Sequence, residues 1–323
     1  MDESQLFKYK LRNTIQSILL IFALMVMLGI LGWLIGGGLF AFCAIVLVVA
    51  LYFFNPVLSP QLILKMYRTR QIMPYEAPNL HAILRVLAQR AELPTIPQLF
   101  YLPSDVMNAF AVGMPDNSVI ALSDGLLRRL SQREITGVLA HEISHIAHED
   151  IRIMSFADLA SRITNYLSLI GQILLLINLL LLLFSASLIS WTAIFILIFA
   201  PIITDLLQLA LSRNREYDAD LSAAELLGDP EPLVSALLKM ERYQGSLVEQ
   251  ILWPGHRSPE PSLLRTHPPT KERVKRLLEL KERRLYYPQT WKPISLYKND
   301  IALSLLIGQT SLRPRWYMSG IRF

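Results

Sequence analysis

The polar and apolar positions of this chain are unevenly distributed. From Asn13 to Leu64, and again from Ile163 to Thr204, there is no Asp, Glu, Lys, Arg or His. A helix that crosses a bilayer needs roughly 20 apolar residues. Each run is therefore long enough for two passes and too short for three. Each also has a break: GWLIGGG, with Gly36 to Gly38, in the first, and SASLIS, from Ser185 to Ser190, in the second. The pattern predicts two helical hairpins, with passes near 14–35, 39–56, 164–184 and 189–209. Very apolar core helices are the bland alternative, but runs of this length without one charge argue against them.

The segment between the hairpins has mixed periodicity. Residues 77–91 have helical spacing, while IPQLFYLP, NAFAVG and SVIALS read as short strands, with a turn at Pro115-Asp116-Asn117. Ser131-Gln-Arg-Glu134 matches a capping box, so a helix should start there. Beyond the second hairpin, 230–244 and 270–284 read as helices, and the last forty residues are unassigned. The fold class predicted is an α+β membrane protein, mostly helical with a small β-sheet, interleaved with two transmembrane hairpins. Its segments are an N-terminal membrane hairpin (1–64), a first part of the main domain (65–162), a second hairpin (163–210), a second part of the main domain (211–284) and a C-terminal extension (285–323).

Composition agrees with this. Of the 323 residues, 53% are hydrophobic and 18% charged, and mean hydropathy is +0.38. The first apolar run exceeds the roughly 7–15 residues of a signal-peptide core and has no small-residue cleavage site, so it should remain as an anchor. The formal net charge of +5 needs no nucleic acid to explain it. Basic residues flank the passes: Lys8, Lys10 and Arg12; Lys65, Arg68 and Arg70; Arg152 and Arg162; Arg213 and Arg215. All lie on one side and the hairpin tips carry no charge, so the positive-inside rule makes that side cytoplasmic. The single cysteine, Cys43, falls inside a pass and excludes a disulfide framework or thiolate metal cluster.

The chemistry concentrates in VLAHEISHIAHED, residues 138–150. Residues four apart share a helix face, so His141 and His145 can both ligate one ion, while Glu142 is placed to hold a water on it as general base. His148 lies about 10 Å along the axis from His141, too far to join them on one straight helix. It reads as an interfacial or outer residue, and Glu149 and Asp150 as solvated charges at the helix end. The third ligand has to come from elsewhere. RNREYDAD, residues 213–220, places Glu216 and Asp220 four apart. Alone it reads as a juxtamembrane charge cluster. With HEISH it completes a His₂Glu zinc site with an open fourth position, Asp220 fixing the tautomer of a ligand histidine.

HEISH, then a membrane hairpin, then SRNREYDAD resembles the HtpX branch of membrane zinc metallopeptidases, relatives of the CaaX prenyl endopeptidases. NAFAVG, SDGLL and THPPT with Arg273 match that family's pattern too, and the resemblance spans about residues 5–284. It implies a zincin-type metalloprotease, one Zn²⁺ per chain held by His141, His145 and Glu216, and Glu142 as catalytic glutamate. It also implies quality control of damaged membrane proteins, in a bacterial or archaeal cytoplasmic membrane. Ligands at the membrane surface point to membrane or unfolded proteins as substrates, cleaved at the cytoplasmic face. His267 of THPPT is read as an oxyanion donor, as a fourth resting ligand, or as a residue that merely precedes a helix; Tyr217 is the second candidate donor. SVIALS, with Ser118 and Ile120, reads as an edge strand that could pair with substrate, or as plain sheet, with NAFAVG and its Asn108 beside it. Arg273 reads as a carboxylate-steering residue or, preferably, as solvent-exposed. A transporter would place ionisable groups within its passes, and here only Asp205 comes near one. A non-catalytic metal-dependent scaffold would lack the general base, which Glu142 supplies.

Overall fold

The structure is a computed structural model that describes residues 3–54, 60–183, 190–251 and 270–284. His267, most of the second hairpin's tip and the tail beyond 284 lie outside the described residues. Helix α1 runs from Glu3 to Phe54, but it is not a single rod. Gly37 has φ +74°, and a Cβ at Gly32 would sit 2.8 Å from the Phe40 carbonyl oxygen and 3.0 Å from Ala44 Cβ. In a straight helix positions 32 and 44 would be about 18 Å apart. The chain therefore turns back at the glycines, as the break in the apolar pattern predicts. Its first arm, Thr14–Leu34, is long and apolar enough to cross a membrane, and the returning arm supplies a shorter apolar helix, Gly37–Val46.

A short helix α2 (Pro60–Met66), strand β1 (Arg70–Gln71) and helix α3 (Pro78–Arg90) follow. Pro at the start of α3 suits the N-terminal turn, whose N–H groups need no intrahelical acceptor. Strands β2 (Gln98–Leu102), β3 (Ala109–Met114) and β4 (Asn117–Ser123) complete a four-stranded sheet of order β1-β2-β4-β3. Strands β2 and β4 are parallel, and β3 and β4 form an antiparallel hairpin. One expectation is overturned here. The SVIALS strand is not an edge: β4 lies between β2 and β3, with Ser118 and Ile120 buried. All but its first residue are buried, the pattern of an interior strand. The NAFAVG strand, β3, is the edge.

Ser123 caps α4 (Asp124–Arg129) by accepting from Leu126 N–H, and also accepts from Asn108 N–H at 2.8 Å. Helix α5 (Gln132–Ala147) starts at the predicted capping box, Ser131 and Glu134 bonding to each other's backbone N–H. Glu134 further accepts from Ser235 at 2.6 Å and Lys239 at 2.8 Å, tying α5 to α8 (Glu231–Ile251). A Cβ at Gly137 would meet Leu233 N at 2.6 Å, so the two helices approach more closely than any side chain there would permit.

Helices α6 (Asp150–Leu182) and α7 (Trp191–Leu227) extend well past the predicted passes and are also long and apolar enough to cross a membrane. They cross at Gly171, whose Cβ position lies 2.9 Å from Leu197 Cβ. Leu24, Leu28 and Leu31 of α1 pack with Met154, Phe156 and Ala157 of α6 and Leu197 and Ala200 of α7. The outward faces carry exposed Phe22, Leu169, Leu179, Phe199 and Ile202, an apolar surface of the kind a bilayer covers. A second core, with Leu84, Leu99, Leu122, Leu139, Ile143 and Leu233, joins α3, the sheet, α5, the end of α7, α8 and α9 (Thr270–Arg284).

Candidate metal centre

Helix α5 presents His141 and His145 one turn apart, and α7, still helical well beyond its apolar half, presents Glu216 to them. The two Nε2 atoms are 3.1 Å apart. Glu216 Oε2 is 3.4 Å from His141 Nε2, and Oε1 is 3.7 Å from His145 Nε2. A tetrahedral zinc with bonds of about 2.0–2.1 Å spaces its donors roughly 3.3 Å apart. The three side chains thus fit an ion of that size and geometry, with all donor atoms within 4.8 Å of one another.

Both imidazoles are held from behind. His145 Nδ1 donates to Asp150 Oδ2 at 2.8 Å, and His141 Nδ1 faces Asp220 Oδ1 at 3.2 Å. A proton on Nδ1 leaves the Nε2 lone pair for a metal. Asp220 stands one turn beyond Glu216 on α7, beside the Nδ1 side of the His141 ring. Asp150 is a correction, because it is 2% exposed rather than solvated. Helix α5 stops at Ala147, Glu149 takes a left-handed φ of 52°, and α6 begins at Asp150. A non-glycine residue in that region costs roughly 1–2 kcal/mol, and the resulting sharp bend carries Asp150 back beneath His145. No glycine or proline announces it in the sequence.

Arg273 is a second correction. It is 4% exposed, not solvent-facing. Its guanidinium donates to both oxygens of Asp220, at 2.6 and 2.8 Å, and lies 3.0 Å from Glu216 Oε2. Nη2 also lies 3.3 Å from His141 Nε2. Arg215 is likewise 8% exposed and bonds to Asp150 and Asp218, so it is an internal partner rather than a flanking charge. Arg213 remains exposed.

Burial opposes the charged form of His141, but hydrogen bonds to Asp220 and Glu216 outweigh it and raise its pKa to about 9. Burial would likewise raise the Asp220 pKa, but the adjacent Arg273 guanidinium, with the His141 contact, holds it below the usual range. The buried carboxylates Glu142, Asp150, Glu216, Asp218 and Asp220 outnumber the buried guanidiniums Arg215 and Arg273. That excess of negative charge favours a divalent cation.

Glu142, His145 and Glu216 open onto a cleft of about 100 Å³, walled by Ala109, Phe110 and Ala111 of the edge strand and by Ile151 and Met154 of α6. The other candidates sit apart from it. The Tyr217 ring lies under Arg276, 3.6 Å from its centroid, and burial with a bond to Glu272 pushes its pKa up to about 12. His148 is held by Ser222 of α7 at 3.3 Å, and burial lowers its pKa. Asn108 uses its backbone to anchor Ser123. Asp150, Arg215 and the cleft wall of β3 and α6 are what sequence reasoning missed.

The pattern of Peptidase family M48 matches residues 74–281. The chain belongs to this family. Within M48 it is 33% identical over 294 residues to the Protease HtpX homolog of Methylibium petroleiphilum, covering 84% of this chain and 99% of that protein. It is 33% identical over 285 residues to the homolog of Burkholderia lata, at 83% and 97% coverage. The resemblance drawn from HEISH and REYDAD is thereby borne out, and the chain is an M48 metallopeptidase of the HtpX type, with helices fit to span a membrane. The crystal structure of S. mikatae Ste24p is a more distant likeness, with a TM-score of 0.43 and 20% identity over 84% of this chain and 66% of that one.

Proposed function

We propose that this M48 chain is a zinc-dependent endopeptidase whose ion is held by His141 Nε2, His145 Nε2 and the Glu216 carboxylate. The observation that carries this is the spacing of those donors, with Glu142 on the same cleft. When bound, zinc there supplies Lewis acidity and lowers the pKa of water to about 7. Glu142 takes the proton of the attacking water and delivers it to the departing amine. Asp150 and Asp220 keep the imidazoles in the ligating tautomer. The substrate backbone pairs with the open edge of β3, beside Ala109 to Ala111, in place of the SVIALS strand. His267, in the segment preceding α9, is the proposed donor to the oxyanion.

The reading extends to the membrane. Four passes are proposed, the second being the returning arm of α1, with the first hairpin preceding the catalytic segments 65–162 and 211–284 and the second lying between them. Lys65, Arg68, Arg152, Arg162 and Arg213 put the centre on the cytoplasmic side by the positive-inside rule. A cleft walled by the first turns of α6 suits membrane or unfolded proteins as substrates, and quality control as the role.

The test is cleavage of casein in detergent by wild type and Glu142→Gln, with zinc assayed on the same samples. The variant should retain zinc while its kcat falls by about 10²–10⁴, the range for loss of a general base. Equal rates in the two proteins would overturn the assignment.

A further inference from the structure

The metal centre has a connection that its own residues do not require. Ser17 lies in the first apolar arm of α1, only 4% exposed, and nearly two hundred residues from the ligand-bearing part of α7. Its Oγ accepts from Arg215 Nη2 at 2.6 Å and from Asn214 Nδ2 at 2.8 Å. Arg215 Nη1 in turn donates to Asp150 Oδ1 at 3.2 Å, and the other oxygen of Asp150 takes the His145 Nδ1 proton at 2.8 Å. The whole relay is buried, with Arg215 8% and Asp150 2% exposed. A helix whose neighbours Leu24, Leu28 and Leu31 pack against α6 and α7 would need no polar contact to anchor it.

We infer that the first membrane arm is a working part of the metal centre: Ser17, through Arg215 and Asp150, positions the ligand His145. The physical argument has two steps. A carboxylate oriented by one guanidinium can hold an imidazole in a single orientation only if that guanidinium is itself fixed. Arg215 holds Asp150 with Nη1 and shares Nη2 between Ser17 and Asp218. Removing the Ser17 oxygen takes away one of the two partners of the buried Nη2 and leaves Asp218 alone to hold it, which shifts Arg215 rather than leaving it in place. Asp150 and the His145 ring then lose their reference point, and the ion loses affinity. Ser17 and Arg215 are positioning residues and do not touch substrate.

This rests on the zinc reading of the site, and the experiment separates the two. Zinc dissociation constants are measured by chelator competition on the full chain in detergent, for wild type, Ser17→Ala, Ser17→Thr, Arg215→Ala and the Ser17→Ala/Arg215→Ala pair. Loss of an outer partner of a metal-ligating histidine costs roughly 10–100-fold in affinity. Arg215→Ala should show that loss and Ser17→Ala a smaller one, about 3–10-fold by the same scale one bond further out. Ser17→Thr, which keeps the hydroxyl, should bind zinc as the wild type does. The double variant should be no weaker than Arg215→Ala alone, the non-additivity expected of one connected chain. Wild-type affinity in Ser17→Ala, or equal losses in the Ala and Thr variants, would overturn the inference while leaving the zinc site standing. A wild-type chain that binds no zinc would overturn both. Because Ser17→Ala is read against Ser17→Thr at the same position, a failure of Arg215→Ala to fold does not decide the outcome.

Discussion

The two halves of α7 obey opposite rules. In the first, Phe195, Phe199, Ile202 and Leu206 are exposed, while Ala200 and Thr204 are buried. In the second, Arg215, Glu216, Asp218 and Asp220 are buried. One continuous helix thus exposes many of its large apolar side chains at one end and turns most of its charges inward at the other. The difference is one of surroundings. Lipid covers apolar surface without cost, so the first half needs close packing only where it crosses α6, with Leu197 against Gly171. The second half lies in a protein core, where each charge must have a partner and where a divalent ion settles the surplus of carboxylates. Helix continuity is what lets the membrane half set the position of the catalytic half.

Breaking the charged half has the largest expected effect. Glu216→Ala should reduce zinc from about one per chain to near zero, and cleavage should fall by at least roughly a hundredfold, the minimum for losing the activated-water chemistry. Metal analysis and a protease assay on the same sample check this. Retained zinc at full occupancy would mean that α7 does not supply a ligand. Breaking the apolar half comes next. Phe199→Arg places a charge on the outward face, at a cost of about 2.5–3.5 kcal/mol near the bilayer centre. Its yield of membrane-inserted protein should drop. Insertion as efficient as wild type would deny that the face meets lipid.

The smallest effect sharpens the comparison by using a carboxylate that serves structure alone. Glu134 is 4% exposed, and although burial would raise its pKa, bonds from Lys239, Ser235 and Ser131 bring it below its model-compound value of 4.5. Its folded pKa is depressed, so its contribution is present above about pH 4.5 and is lost as pH falls through the lower folded value. Glu134→Gln should cost about 1 kcal/mol at neutral pH and flatten the acid-side decline in thermal midpoint. Zinc content should not change. A decline as steep as that of wild type would assign the acid sensitivity to other groups.

What the sequence made legible follows the reach of its local signals. The capping box at Ser131 and the four-residue spacings of His141 with His145 and Glu216 with Asp220 are periodic, and the folded helices keep them. The glycine break in α1 was equally local. Asp150 and Arg273 were misread because their burial depends on tertiary geometry. One needs a left-handed Glu149, a residue type that gives no sign of that conformation, and the other needs α9 to lie across α7. SVIALS was misplaced for a different reason. Alternation tells a strand from a helix, but strand order is set by pairing, and β2 joins β4 in parallel with β3 between them in the chain, Gln98 opposite Val119 and Leu102 opposite Ser123. The lines Ser17–Arg215 and Asp150–His145 join four elements and leave no periodic trace.

The most direct test of the account is zinc K-edge X-ray absorption on the purified full chain. The account predicts a first shell of nitrogen and oxygen donors at about 2.0–2.1 Å with the outer scattering of two imidazoles. An imidazole-free oxygen shell, or a chain that retains no zinc after purification without chelator, would contradict a centre built by α5 and α7.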